Sequence, residues 1–280
     1  ATPYNIQWHK GKLIFIDSLS FEKYDEHQPW IAYRQFCESF LSPLLLMHYS
    51  RQPLQQMELA YPDGIPLAVT KSLLPGRSRF SLHTWLHIHL HAKVAGKNSS
   101  NSNNQQSNFS KQKLFNLISS LETLIYKLKL EASHSIWSEY YEEAAKRNDY
   151  LDQKKQLIQN WVSNLPDIKT AADLGANDGV FSKILAEKNV STIATDFDPL
   201  CINHLYNDIK KSKQQNILPL IIDLANPSPA IGVNNTERLS FISRTKVDLG
   251  IALAVIHHLA IGKNISFEKI ALFFSGLSNY

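Results

Sequence analysis

Cysteine is almost absent. The 280 residues contain two, Cys37 and Cys201, far apart and in unlike surroundings, which argues against a disulfide framework and a thiolate metal site and makes a reducing cytoplasm the expected location. Long hydrophobic runs are missing too. The longest, Pro43 to Met47, is far short of the roughly 20 residues that cross a bilayer, and the N-terminus lacks a signal-peptide pattern, so no membrane partner is expected. Charge of one sign is scarce: 29 Lys plus Arg stand against 25 Asp plus Glu, a formal net charge of +4. No basic cluster forms the stripe that neutralises phosphates, so there is no clear nucleic-acid signal. What is present is a hydrophobic fraction of 44% and an aromatic fraction of 10%, enough for a sizeable core. The length suits one large domain or two ordinary ones. The chain opens on Ala1 and stops at Tyr280 straight after a helical pattern, which reads as a piece of a longer protein.

The sharpest internal boundary is Lys97 to Gln112, with one aromatic, no aliphatic residue and ten Ser or Asn. Such a stretch buries too little apolar area to offset its ordering entropy, so 97–112 reads as a disordered low-complexity linker. Before it, 1–96 reads as a smaller, mainly helical α+β region. Ile6 to Trp8 and Leu13 to Asp17 flank a Gly11 turn as a hairpin. Helical patterns follow at Pro29 to Tyr49, Leu54 to Tyr61 and Ile65 to Leu74, while Phe80 to Lys93 fits helix or strand. Residues 113–168 read as a helical lead-in, with helices at Lys113 to Leu130 and Asp152 to Leu165.

From Lys169 the grammar becomes apolar strand, turn, helix. Strands are expected at Thr170 to Leu174, Ser191 to Thr195, Ile217 to Ile222 and Asp248 to Val255. Helices are expected at Gly179 to Lys188, Leu200 to Lys211 and Phe267 to Leu277. Continuous apolar strands between helices indicate a parallel sheet covered on both faces. The fold class of 169–280 is therefore α/β, a Rossmann-like open parallel sheet, and such sheets bind ligands at the carboxyl ends of their strands.

The strongest chemical signal is Ala172-Asp173-Leu174-Gly175-Ala176-Asn177-Asp178-Gly179 at a strand-to-helix turn. Glycine at 175 and 179 allows a tight turn and close approach of a ligand to the backbone, and the following helix offers free amide N–H groups. Neither the dinucleotide fingerprint nor the P-loop fits: Asn177 and Val180 stand at the second and third glycine positions, and no Gly-Lys-Ser/Thr ending follows. Asp196 lies seventeen residues beyond Gly179, at the end of the second strand, where a carboxylate can accept both hydroxyls of a ribose. The third strand ends at Asp223 and the fourth runs into Ala254-Val255-Ile256-His257-His258. Each acid alone also suits a turn or a helix cap. Four polar strand ends after one glycine-rich turn suit a site.

On these residues the segment Lys169 to Leu277 resembles the class I S-adenosylmethionine-dependent methyltransferases, its loop similar to the first-motif variant with Asn in place of the middle glycine. Ser135 to Tyr141, Asp196 to Tyr206, Asn226 to Ala230 and Ile256 to Leu259 resemble more closely a bacterial group of nodulation-protein-like methyltransferases. The resemblance implies S-adenosyl-L-methionine as cofactor and a small-molecule or protein methyl acceptor that it does not specify. It implies that Asp173 neutralises the methionine ammonium, directly or through water, while Gly175, Ala176, Asn177 and Gly179 form the loop that admits the methionine portion. Asp196 would accept the ribose hydroxyls, Phe197 pack on adenine, Asp223 accept the adenine amino group and the Leu224 backbone read a ring nitrogen. Ala254 would leave room for the sulfonium. Against that family the core stops before its fifth strand and the antiparallel pair, so it reads as truncated, and a non-catalytic cofactor-binding or scaffold protein is the alternative.

His257 and His258 are the candidate bases, needed only for an acceptor that arrives protonated; one packed in the sheet and the other capping a helix is an equal reading. His83, His87, His89 and His91 recur at helical or strand spacing, but no carboxylate or Cys completes a ligand set, so no metal is expected. Asn5 and Asp17 flank the hairpin twelve residues apart, similar to the pair that holds magnesium in protein-kinase-like folds. They suit a kinase-like remnant or an ordinary hairpin.

Overall fold

The expected hairpin forms between β1 (Ile6–His9) and β2 (Lys12–Phe15). Lys10 and Gly11 both have positive φ, 47° and 76°, as the favoured two-residue hairpin turn requires. The computed structural model describes residues 2–26, 28–95, 110–129 and 149–280. It falls into two units: Ala1–Gln7 with Ile14–Ala132, and Trp8–Leu13 with Ser133–Tyr280. The hairpin tip thus belongs to the second unit, where the Trp8 indole N–H donates to the Ile217 carbonyl at 3.2 Å and its ring meets Tyr206 at 5.8 Å.

In the first unit, α1 (Tyr33–Phe36) runs through a π-helical turn, Cys37–Leu41, into α2 (Ser42–Ser50). This helical run starts four residues later than Pro29. Pro43 lies inside it without an N–H to donate, and the widened turn ahead of it accommodates the missing bond. Short helices α3 (Met57–Ala60) and α4 (Leu67–Leu73) follow. The ambiguous Phe80 to Lys93 is helical: α5 (Leu82–Thr84), a second π turn at Trp85–Leu90, and α6 (His91–Ala95). Helix α7 (Lys111–Lys127) is capped by the Ser110 side chain, so it begins inside the segment read as linker; 97–109 lie outside the described residues, as does Ser135 to Tyr141. Leu121 and Leu124 of α7 join Cys37, Leu41, Leu45 and Ile88 in one core. The apolar stripe of α7 therefore serves the first unit, whereas the sequence suggested a lead-in to the second.

The second unit comprises α8 (Tyr150–Asn164), β3 (Thr170–Leu174), α9 (Val180–Glu187), β4 (Ser191–Asp196), α10 (Pro199–Ser212), β5 (Ile217–Ile221), α11 (Phe241–Arg244), β6 (Leu249–Ile251) and α12 (Phe267–Ser275). The sheet order is β5-β4-β3-β6, with every pairing parallel. It is an α/β arrangement compatible with a Rossmann-like fold. Register aligns Asp173 with Ala194 and Ile251, and Asp196 with Ile221, so four carboxyl ends reach one edge. The chain leaves β3 toward β4 on one side and returns to β6 on the other, and a crevice opens where the order reverses.

Strand β6 stops four residues short of the expected Val255 because Ala254 has φ 59°, a left-handed conformation that a strand cannot hold. Its start is pinned by Asp248, whose Oδ2 accepts the Lys169 and Thr170 amides and the Thr170 hydroxyl, each at 2.9 Å. Along its outer edge the Gly250 amide donates to the Tyr280 carbonyl at 2.9 Å, and Val247 bridges Ser278 in parallel. Among the described residues no helix is long and apolar enough to cross a membrane.

Candidate functional site

The loop leaving β3 is built by left-handed residues. Gly175 (φ 81°), Asn177 (φ 51°) and Gly179 (φ 73°) reverse the chain in five residues, and Asn is among the few non-glycine residues that adopt this conformation readily. The Gly175 and Ala176 amides both donate to the Thr195 carbonyl at 2.8 Å, which ties the loop to the end of β4. Approach is tight: a Cβ on Gly175 would lie 2.3 Å from Val255 Cγ2, and one on Gly179 2.5 Å from Leu205 Cδ1. The Asn177 side chain turns back to accept the Asp178 amide at 2.7 Å.

Two buried carboxylates flank the loop. Asp196, 8% exposed, accepts the Asn177 amide on Oδ2 and the Asp198 amide on Oδ1, both at 2.9 Å. The Phe197 amide also bonds this carboxylate, and an ionised carboxylate offers about four acceptor positions in all, so capacity for a ligand remains. Asp173, 1% exposed, accepts the Ser182 hydroxyl at 2.6 Å. Burial pushes its carboxyl up to about 6, while the Ser182 hydrogen bond and the more distant Lys154 charge pull it down. Burial likewise raises Asp196, against the amide bonds from Asp198 and Asn177. After β5, the Asp223 Oδ1 accepts the Ala225 amide at 2.9 Å, so this acid does form a turn, one of the two roles that a lone acid suits.

At the carboxyl edge lies a cavity of about 390 Å³, lined among others by Gly175, Asn177, Asp196, Phe197, Asp223, Leu224, Ala254, His257 and His258. That volume suits a small-molecule site. Nine of the twelve candidate residues from the sequence thus share one cavity. The other three, Asp173, Ala176 and Gly179, are buried and do not line it. Neither His257 nor His258 is packed in the sheet. Both are exposed, with ring centroids 3.9 Å apart, and His258 is held below its ordinary pKa by burial and then by the His257 charge.

Sequence reasoning missed Lys154, Leu253, Leu259 and Lys263, which also line the cavity. Lys154 arrives from α8, before the strand-and-helix grammar begins, and no motif marks it. It missed as well the Ser182 partner of Asp173, a hydroxyl in the first turn of α9 that bonds back to the strand before it.

The other candidates lie in the first unit. His87 is fully buried. Its Nδ1 meets the Tyr33 hydroxyl at 2.7 Å and its Nε2 the Ser120 hydroxyl at 2.8 Å, and Ser120 also meets His83 Nδ1 at 2.8 Å. Burial pushes His87 down to about 4. Among the described residues no three His, Cys, Asp or Glu are grouped to hold a metal. Asn5 and Asp17 do meet, Nδ2 to Oδ2 at 3.1 Å. Asp17 is otherwise occupied by the Leu19 amide at 3.1 Å and the Ser20 hydroxyl, the pattern of a turn cap.

No family model matches the chain. Over 277 residues, 96% of its length, it is 32% identical to "Nodulation protein NoeA" of Rhizobium meliloti (strain 1021), of which it covers 58%. The similarity therefore reaches well beyond Lys169 to Leu277, and the chain spans a little over half the length of that relative. Solved structures of the bifunctional kinase-methyltransferase WbdD match 56% of the chain and 32% or 33% of their own, at 21% identity and a TM-score of 0.36, a superposition too loose to carry an argument.

Proposed function

We propose that the chain binds S-adenosyl-L-methionine in the cavity at the carboxyl edge of the parallel sheet and transfers its methyl group to a small-molecule or protein acceptor. The observation that carries this reading is the convergence of Asp196, Gly175, Asn177 and Asp223 on one cavity of about 390 Å³, beside the end of β3 where the Asp173 carboxylate is buried. The residues fit the cofactor's parts. Asp173 neutralises the methionine ammonium, directly or through water, and Gly175 admits the methionine chain against the backbone. Asp196 accepts the ribose hydroxyls on the acceptor capacity that the Asn177, Phe197 and Asp198 amides leave free. Phe197, 58% exposed, offers its ring to adenine, and Asp223 with the Leu224 backbone accepts and reads the adenine edge. Ala254 leaves space beside the sulfonium; Ala176 and Gly179 act through the loop's shape.

The bound cofactor supplies a methyl carbon already activated by positive sulfur, so alignment of the acceptor provides much of the rate. His257 and His258, exposed at the cavity, take the acceptor's proton where it has one to lose. The depressed pKa of His258 keeps that imidazole neutral and able to accept at pH 7.

Calorimetric titration of S-adenosylmethionine and S-adenosylhomocysteine into the intact chain and into Asp196→Ala tests the reading. Binding by the intact chain that the variant loses is the expected result. A folded intact chain that binds neither ligand overturns it and favours a scaffold. Binding without turnover favours the second reading, a non-catalytic cofactor-binding module, for which the exposed, solvent-facing pair of histidines gives no argument of its own.

A further inference from the structure

In the first unit, the helix that begins at Leu82 turns an uncharged face to solvent. From Phe80 through Ala92 the sequence has no Lys, Arg, Asp or Glu. Along α5 and the π turn that continues it, Thr84, His87 and Ile88 are buried. The other side carries Leu82, Trp85 and Leu86, which their i, i+3, i+4 spacing sets on one face. All three are exposed, Leu82 at 72%, where a surface helix ordinarily presents charged side chains. Phe80, just ahead of the helix, is 91% exposed. Four large apolar side chains exposed within seven residues form the kind of patch that marks an interaction site.

Cations flank it. Lys71 of α4 and Arg79 line a depression of about 410 Å³ together with Ser72 and Gly76, and a Cβ on Gly76 would meet nothing within 4 Å. Both charges act on His89 and, after burial, hold it below its ordinary pKa. Leu82, on the other side of Phe80 in the chain, lines a second depression with Tyr49 and Lys127, and the Arg77 guanidinium lies over the Tyr49 ring at 5.8 Å. Among the described residues, Lys71, Arg77, Arg79 and Lys127 make no ion pair. Between Asp63 and Glu122 the sequence holds seven Lys or Arg and no Asp or Glu. These cations are dispersed along the chain, so no basic run stands out in the sequence, and the fold brings Lys71 to Arg79.

We propose that this face docks on an anionic lipid surface, with headgroup phosphates against Lys71 and Arg79 and with Phe80 and Leu82 among the upper acyl chains. Protruding apolar side chains flanked by cations match a bilayer interface, in which a charged headgroup layer overlies hydrocarbon. A tryptophan such as Trp85 suits the boundary between the two. A nucleic acid would satisfy the cations and leave Leu82 and Leu86 in water. A protein partner would need a pocket shaped to Phe80, whereas fluid acyl chains need none. Attachment at the surface requires no spanning helix, and among the described residues no helix is long and apolar enough to span. Docking of this kind departs from the expectation of no membrane partner, which rested on the lack of a spanning run.

The test is co-sedimentation of the intact chain with vesicles of phosphatidylcholine alone and of phosphatidylcholine containing about 30% phosphatidylserine, at about 0.15 M salt. The intact chain should pellet with the anionic vesicles and stay in solution with the neutral ones. Phe80→Ser combined with Leu82→Ser should weaken binding by about 10-fold or more, since two inserted side chains are lost. Lys71→Gln combined with Arg79→Gln should weaken it roughly 20- to 30-fold, about fivefold for each charge removed from the surface. None of the four residues is buried, and unchanged circular dichroism checks that the variants fold. Tryptophan emission should shift to shorter wavelength with the anionic vesicles, and Trp85→Phe should remove most of that shift. No binding to either vesicle, or equal binding to both, overturns the proposal. Binding that depends on Lys71 and Arg79 but not on Phe80 and Leu82 also overturns it, and a duplex oligonucleotide bound with that dependence assigns the face to nucleic acid.

Discussion

Removing the charge of Asp173 should stabilise the protein and disarm it at once. The carboxyl is 1% exposed, and burial, with a smaller contribution from the negative charge of Asp196, raises it from 3.8 to about 6 in the folded state. A folded-state value above the unfolded one means that the folded protein holds this proton more tightly. The stability tied to the group is therefore complete below about pH 4 and declines as pH rises through 6. The shift amounts to about 3 kcal/mol by pH 7, a large part of a typical domain's stability. Asp173→Asn keeps an oxygen for the Ser182 hydroxyl and has no charge to desolvate. Its second unit should lose little stability between about pH 4 and about pH 7 through this position, and at neutral pH should exceed the wild type by up to about 3 kcal/mol. Urea unfolding read by amide exchange across Thr170–Leu174, where β3 lies, isolates that unit from the rest of the chain. The same variant should no longer bind S-adenosylhomocysteine. A wild-type stability that is flat or rises with pH relative to Asp173→Asn would refute the reasoning.

Two further perturbations follow from the packing. Gly175→Ala must hold φ 81° and bring a Cβ to 2.3 Å from Val255 Cγ2; a loss of about 2 kcal/mol or more in urea unfolding is expected. Adding Val255→Ala should recover the steric part and leave the conformational part of about 1 to 2 kcal/mol; no recovery would mean that the contact with Val255 is not what fixes this glycine. Trp8→Ala removes the indole bond to the Ile217 carbonyl and the ring contact with Tyr206, and should destabilise the second unit by about 2 kcal/mol. An unchanged exchange profile along Ile217–Ile221 would show that the hairpin tip contributes nothing there.

The parallel sheet was legible because its signal is local and repeated. Each strand of the second unit is a short apolar run, each run ends in a turn residue, and the loop after β3 carries two glycines at positions whose φ only a few residues accept. Asn177, which broke the commonest pattern, takes a left-handed φ of 51° and bonds its own neighbour's amide, a local property of Asn. What escaped was set by contacts distant in sequence. The end of β6 was misplaced because Leu253-Ala254-Val255 reads as strand in composition, while the cavity requires a turn at Ala254. Helix α7 shows an unmistakable apolar stripe but nothing in it states which core it fills. Lys154 and Trp8 belong to the second unit but lie in segments whose local patterns describe only a helix and a hairpin. Pro43, in a run otherwise continuous in helical character, marks a widened turn rather than a stop, since its predecessor turn adjusts to the missing N–H.

The charge around the loop gives the strongest physical argument for a cationic ligand. Asp173 and Asp196 are both buried, Asp198 is 3% exposed, and one oxygen each of Asp178 and Asp198 is buried without a hydrogen-bond partner among the described residues. The cations near them compensate poorly: Lys154 makes no ion pair among the described residues, Lys183 is paired with Asp208 at 2.9 Å, and His204 stands 3.8 Å from Asp178 and is charged only when protonated. Burial and mutual repulsion both raise Asp173, Asp178 and Asp196. A scaffold gains nothing from such a cluster, since neutral polar side chains would form the same turns and caps without the desolvation cost. A ligand bringing an ammonium and a sulfonium to this edge relieves the repulsion, and that relief appears as binding free energy. Asp173 and Asp196, whose burial weakens the fold, are on this reading the carboxylates that hold the cofactor, and stability and affinity should move in opposite directions when either is neutralised.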